Sequence, residues 1–154
     1  MDAKKLVLIL ITVFAGMNIF SQDIKESDVP AVVKTKFTTM YPGAGSTKWD
    51  IENGNYEVEF KNNNTVTSAI FESNGTHVQT EVEIPVSSLP AGVNDYVSKT
   101  LKSKTIKEAA QITSANGTVT YEAEVGNEDY LFDANGIFLE KDSHSGDTED
   151  DDKK

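Results

Sequence analysis

The chain has no cysteine among its 154 residues. No disulfide can brace it, no thiol can serve as a nucleophile, and no lipid can be attached at a lipoprotein cysteine. Histidine is nearly absent too, and neither His77 nor His144 stands in an HExxH or paired-histidine spacing. No glycine-rich loop falls between a strand and a helix, so the sequence offers no phosphate cradle. Positive charge is short: 14 Lys and Arg face 25 Asp and Glu, for a net charge of −11. A surface of that sign repels phosphates and argues against nucleic acid as a partner. Also missing is an unbroken apolar run of about 20 residues, the length needed to cross a bilayer.

What is present begins with a short apolar stretch, residues 6–14, preceded by Lys4 and Lys5 and interrupted soon after by Gly16 and Asn18. This is the layout of a secretory signal peptide. Cleavage is predicted after Ser21, which leaves a mature chain that begins at Gln22, carries −12 and has no membrane anchor. The expected location is the periplasm or the medium. At the other end, residues 142–154 hold almost no apolar side chain and are expected to form a disordered acidic tail. Residues 22–141 between them are expected to fold as one domain on the strength of their own core.

That domain is written twice. "FESNG" at 71–75 returns as "FDANG" at 132–136, and the helical pattern "DVPAVVKTKF" from Asp28 returns as "SLPAGVNDYV" from Ser88. Val29, Val33, Phe37, Met40 and Tyr41 recur at helical spacing, as do Leu89, Val93, Val97 and Leu101. Asp28 and Ser88 are suited to cap the two helices, with Pro30 and Pro90 where a missing N–H costs nothing. Pro42 and Gly43 stop the first helix, the glycine by taking positive φ, while the second is expected to end near Lys104. After each helix the period changes to alternation. "NYEVEF" sets Tyr56, Val58 and Phe60 against Glu57 and Glu59, and "TYEAEV" sets Tyr121, Ala123 and Val125 against Glu122 and Glu124. Further strands are expected at 48–52, 65–71, 76–84, 106–113, 128–132 and 137–140. Asn-Gly pairs mark the reversals, with both residues expected at positive φ in "SNG" and "ANG". The fold class is therefore α+β: two tandem repeats, about 28–84 and 88–140, each one helix plus a four-stranded antiparallel meander. Both helices pack on one face of a shared sheet, over a core continuous between the copies.

The ordered set "VPAVVKTKF", "YPGAG", "YEVEF" and "FESNG", followed by "LPAGVNDYV", "YEAEV" and "FDANG", resembles the PepSY-like family, whose fold is similar to that of the beta-lactamase inhibitor protein. The resemblance spans residues 28–140. It implies a non-catalytic binding module, an inhibitor of or adaptor for an extracytoplasmic protein. In the second copy the "YPG" stop is missing, and no tryptophan matches Trp49.

No set of residues composes a catalytic centre, and no cofactor or metal site is expected. His77 is read as a solvated side chain sharing its strand face with Gln79, Glu81 and Glu83, and Trp49 as core. "DANG" opens like a calcium loop, but the further oxygen ligands do not follow at the required steps, so it reads as a turn. The candidate partner-binding face is the polar side of the strands, carrying Glu57, Glu59, Glu122 and Glu124 with Glu81 and Glu83. Such a face is read first as a solvated surface that keeps an exported protein soluble, and in the sharper reading as a binding face for a cation or for a basic patch on a protein partner of unknown identity. The alternatives are a cation-binding or solute-buffering envelope protein, and an enzyme of unrecognised type.

Overall fold

The structure, a computed structural model, describes residues 22–102, 105–126 and 128–142. The expected signal peptide at 1–21 and all of the expected tail beyond residue 142 lie outside them. Strand β1 (Gln22–Ile24) leads through a single-turn 3-10 helix (Glu26–Asp28) to α1 (Ala31–Met40), which is followed by β2 (Thr47–Glu52), β3 (Asn55–Asn62), β4 (Thr65–Phe71) and β5 (His77–Glu83). A second 3-10 turn (Val86–Ser88) leads to α2 (Ala91–Thr100), then β6 (Ile106–Ser114), β7 (Val119–Val125), β8 (Asp129–Asp133) and β9 (Phe138–Asp142). The nine strands form one antiparallel sheet in sequence order. One helix followed by four strands, twice, is the architecture that the sequence pattern predicts. Strand β1 is an addition, because three residues are too few for alternation to show.

Local chemistry departs from expectation at the helix ends. Neither Asp28 nor Ser88 caps a helix. Each closes a 3-10 turn, and Pro30 and Pro90 occupy the N-cap positions, both at φ −55 with no side-chain cap. The Pro30 carbonyl accepts hydrogen bonds from Val33 at 3.0 Å and Lys34 at 3.1 Å, so the rigid proline backbone starts the helix where a polar side chain was expected. Tyr41 is turned out of helical geometry (φ −128, ψ 66) ahead of Pro42, but Gly43 does not use positive φ. Helix α2 stops at Thr100, short of Lys104, with Lys102 at φ +53.

The repeated phrase also resolves differently. In both "SNG" and "ANG" only the glycine has positive φ, +85 at Gly75 and +78 at Gly136, as in a type I turn closed by one left-handed residue. The asparagine and aspartate side chains accept backbone N–H groups instead: Asn74 Oδ1 from Thr76 at 2.7 Å, and Asp133 Oδ1 from Asn135 and Ile137 at 2.8 Å each. The turns serve a second purpose. A Cβ on Gly75 would lie 2.9 Å from Val32 Cγ2, and one on Gly92 would lie 2.7 Å from the Gly136 carbonyl oxygen. Each helix thus docks its first turn onto the last hairpin of its own repeat.

The core is not continuous. Val29, Val33 and Phe37 bury Trp49, Val58, Phe60, Ala69 and Phe71 in the first repeat. Leu89, Val93 and Val97 bury Ala109, Ala123, Val125, Tyr130 and Phe132 in the second. Between the two clusters, where β5 meets β6, the paired residues on the helix side are Thr80 with Thr113 and Val82 with Gln111. These half-buried, mostly polar pairs interrupt the apolar layer, so the repeats are joined by a backbone ladder and not by a common core.

Candidate binding face

Because side chains alternate across a strand, the pairing register fixes what each face of the sheet carries. Trp49, Val58, Ala69, Ala123 and Phe132 point to the helices. The opposite face is read in rows, strand by strand. One row runs Asp23, Asp50, Glu57, Ile70, Gln79, Ser114. The next runs Lys48, Glu59, Ser68, Glu81, Ile112, Thr120, Asp133. A third runs Glu83, Ala110, Glu122, Leu131, Glu140, and Glu108 pairs with Glu124 and then Asp129.

All four expected glutamates therefore lie on the face turned away from the helices, as do Glu81 and Glu83. They do not form one cluster. Glu57 and Glu59 are on β3 and Glu122 and Glu124 on β7, four strand spacings apart, or roughly 19 Å. Glu59 is exposed and the other three are half-buried. Glu124 Oε1 pairs with Lys107 Nζ at 3.1 Å. Burial pushes the Glu57 carboxyl above the usual glutamate range, the charge of Glu52 adds to this, and a hydrogen bond with Ser68 partly offsets both.

Sequence reasoning missed the edge of this face, where Asp23 and Asp50 face each other across β1 and β2. Lys48 bridges them, Nζ lying 3.0 Å from Asp23 and 3.5 Å from Asp50. The hydrogen bond from Lys48 lowers the Asp23 pKa, whereas burial raises that of Asp50, which is only 6% exposed. The alternation of "TKWDIE" around Trp49 was the available signal for Asp50. Ala110 and Ile112 are buried here between longer neighbours, Glu83 and Glu122 flanking the alanine.

Two expectations concern the helix side. Trp49 is core, 3% exposed, edge-on to Phe37 at 5.4 Å, and its Nε1 has no hydrogen-bond partner among the described residues. It also lines a cavity of about 330 Å³ with Phe37, Tyr41, Lys34 and Thr38. His77 does not share a face with Gln79, Glu81 and Glu83. A bulge pairs Phe71 with His77 directly after Ile70 with Gln79, which rotates the imidazole to the helix side. There it lies 5.5 Å from the Phe71 ring, its Nε2 is 2.9 Å from Thr80 Oγ1, and burial lowers its pKa. Among the described residues no three His, Asp or Glu converge to hold a metal ion.

The chain matches the PepSY-like family, provisionally described as beta-lactamase-inhibitor-like, over residues 18–69 and 54–140, and it belongs to that family. Solved structures with the same fold include a Bacteroides eggerthii protein provisionally described as periplasmic. It is 20% identical, with a TM-score of 0.66, over 74% of this chain and 88% of that one. A DUF2874 family protein from Bacteroides ovatus is 22% identical, TM-score 0.63, over 73% and 86%. A BLIP-like protein from Bacteroides fragilis is 18% identical, TM-score 0.58, over 76% and 88%. At these identities the shared property is the fold. No curated protein matches the chain.

Proposed function

We propose that the mature chain, from Gln22, is an exported, non-catalytic module that binds a basic protein partner through the open sheet face, as an inhibitor or an adaptor. Family membership supports a binding role, since the family is described as beta-lactamase-inhibitor-like. Periplasmic descriptions among proteins of the same fold support export. The observation that carries the reading is the division of the sheet. Both helices cover one side, and carboxylates from six of the first seven strands, every one but β4, are carried on the other, from Asp23 on β1 to Glu122 on β7. A surface with an excess of one sign steers an oppositely charged partner and acts chiefly on the association rate.

The test uses proteins captured from the cell envelope on the mature chain, then measured against a variant in which Glu57, Glu59, Glu122 and Glu124 are all glutamine. Glutamine removes charge without placing a lysine beside Lys107 or into the half-buried site at 57. For a partner of this face, association with the variant should slow by about tenfold or more at low salt and lose most of its salt dependence. An unchanged rate with unchanged salt dependence would leave the carboxylates a solubility device.

A further inference from the structure

Four Asn-Gly pairs stand in this chain, at 53–54, 74–75, 116–117 and 135–136, all in hairpin turns. Glycine after asparagine favours deamidation because no side chain hinders the approach of its nitrogen. We propose that Asn53 is the site of spontaneous deamidation in the folded protein and that the other three asparagines are protected by their turns. In the reaction the Gly54 nitrogen loses its proton and attacks the Asn53 side-chain carbonyl carbon, and the side-chain nitrogen leaves as ammonia. Water then opens the resulting five-membered imide at one of its two carbonyls, giving aspartate or isoaspartate. Nothing but water and general base is consumed or required.

What separates the four is how firmly the nucleophile and the amide are held. The Gly75, Gly117 and Gly136 N–H groups are bonded to Glu72, Ser114 and Asp133 carbonyls at 2.9, 2.8 and 2.9 Å. The side chains are tied as well: Asn74 Oδ1 accepts from Thr76 and Asn116 Oδ1 from Thr118 at 2.9 Å, while Asn74 Nδ2 reaches Glu72 at 3.0 Å. Gly75 and Gly136 are also wedged against Val32 and Gly92. At the β2–β3 turn the arrangement is different. Glu52 pairs directly with Asn55, so Asn53 and Gly54 form a two-residue loop with φ +53 and +79. Both are exposed, no atom lies within 4 Å of a Cβ built on Gly54, and among the described residues no backbone carbonyl accepts its N–H. Only the turn itself must open for attack.

The product bears on the open face. An aspartate at 53 adds a carboxylate directly after Glu52 and at the end of the strands that carry Asp50 and Glu57, while isoaspartate lengthens a two-residue loop by one backbone carbon.

Incubation of the mature protein at pH 8 and 37 °C, followed by digestion and mass spectrometry, reads each site separately. Each hydrogen bond that must first break lowers the opening equilibrium by roughly fivefold, so Asn53 should deamidate at least about tenfold faster than Asn74, Asn116 or Asn135. The same chain in 6 M urea, where the turns are gone, should deamidate at all four positions at similar rates. Equal rates in the native protein, or a faster site at 74, 116 or 135, would overturn the proposal. So would a native Asn53 that stays intact while the urea-unfolded chain reacts.

Discussion

Phe37 shows how much of the first repeat hangs on one side chain. Its ring lies 5.0 Å from Phe60 and 5.4 Å from Trp49, both edge-on, and it is 4% exposed under α1. Replacing it by alanine removes the centre of that aromatic cluster, and Phe37→Ala should cost about 3 to 5 kcal/mol in urea unfolding. A loss under about 1 kcal/mol would mean that the cluster closes over the gap or that the helix is turned the other way. The equivalent place in the second repeat, 60 residues on, holds Val97, and there Tyr96 stacks on Phe138 at 4.6 Å instead. Glu57 gives a pH prediction at the same scale. Its carboxyl is held above the usual range by burial, so its stabilising form is the neutral one, present at low pH and lost as pH rises through the raised pKa. Glu57→Gln cannot ionise. It should be more stable than the parent at pH 7 and equal to it at pH 3, and a variant less stable at pH 7 would show that the charge is welcome where it sits.

At the scale of elements, two opposing magnitudes meet at Gly92. An alanine inside a helix is favoured over glycine by about 1 kcal/mol. Here, however, its Cβ would stand 2.7 Å from a backbone oxygen of the Gly136 turn, which cannot swing aside, and overpacking of this kind costs about 1 to 3 kcal/mol. Gly92→Ala should therefore lower the melting temperature, while Gly43→Ala, with nothing within 4 Å, should leave it nearly unchanged. Stabilisation by Gly92→Ala would show that α2 is not pinned to the β8–β9 hairpin. Helices and strands were legible in the sequence because their periods, 3.6 and 2, were sustained over seven or more residues in most elements. The elements' ends were not. Proline backbone starts each helix without help from Asp28 or Ser88. A bulge after Ile70 moves His77 to the other side of the sheet, and a strand period read straight through it puts His77 with Glu81. The second repeat has its bulge at the matching place, between Leu131 and Phe132, and there Phe138 faces the helix side.

For the whole molecule, the repeat pattern predicted one sheet with two helices on one side, and that much was readable because each copy has one apolar face. A continuous core did not follow. Thr80, Thr113 and Gln111 fall at the seam, and only the strand order, β5 beside β6, reveals that these positions meet. The candidate face was legible as four glutamates but not as a surface. Its edge depends on β1, and the distance between β3 and β7 depends on β4, β5 and β6 lying between them. In the proposed function this open face, and not the helix side or the acidic tail, receives positive charge. Titration of the isotope-labelled mature protein with a hexalysine peptide, followed by amide chemical shifts, tests it most directly. Shifts concentrated on β3, β5 and β7, at Glu57, Glu59, Glu81, Glu83, Glu122 and Glu124, are expected. Shifts confined to α1 and α2, or to residues 143–154, would contradict it.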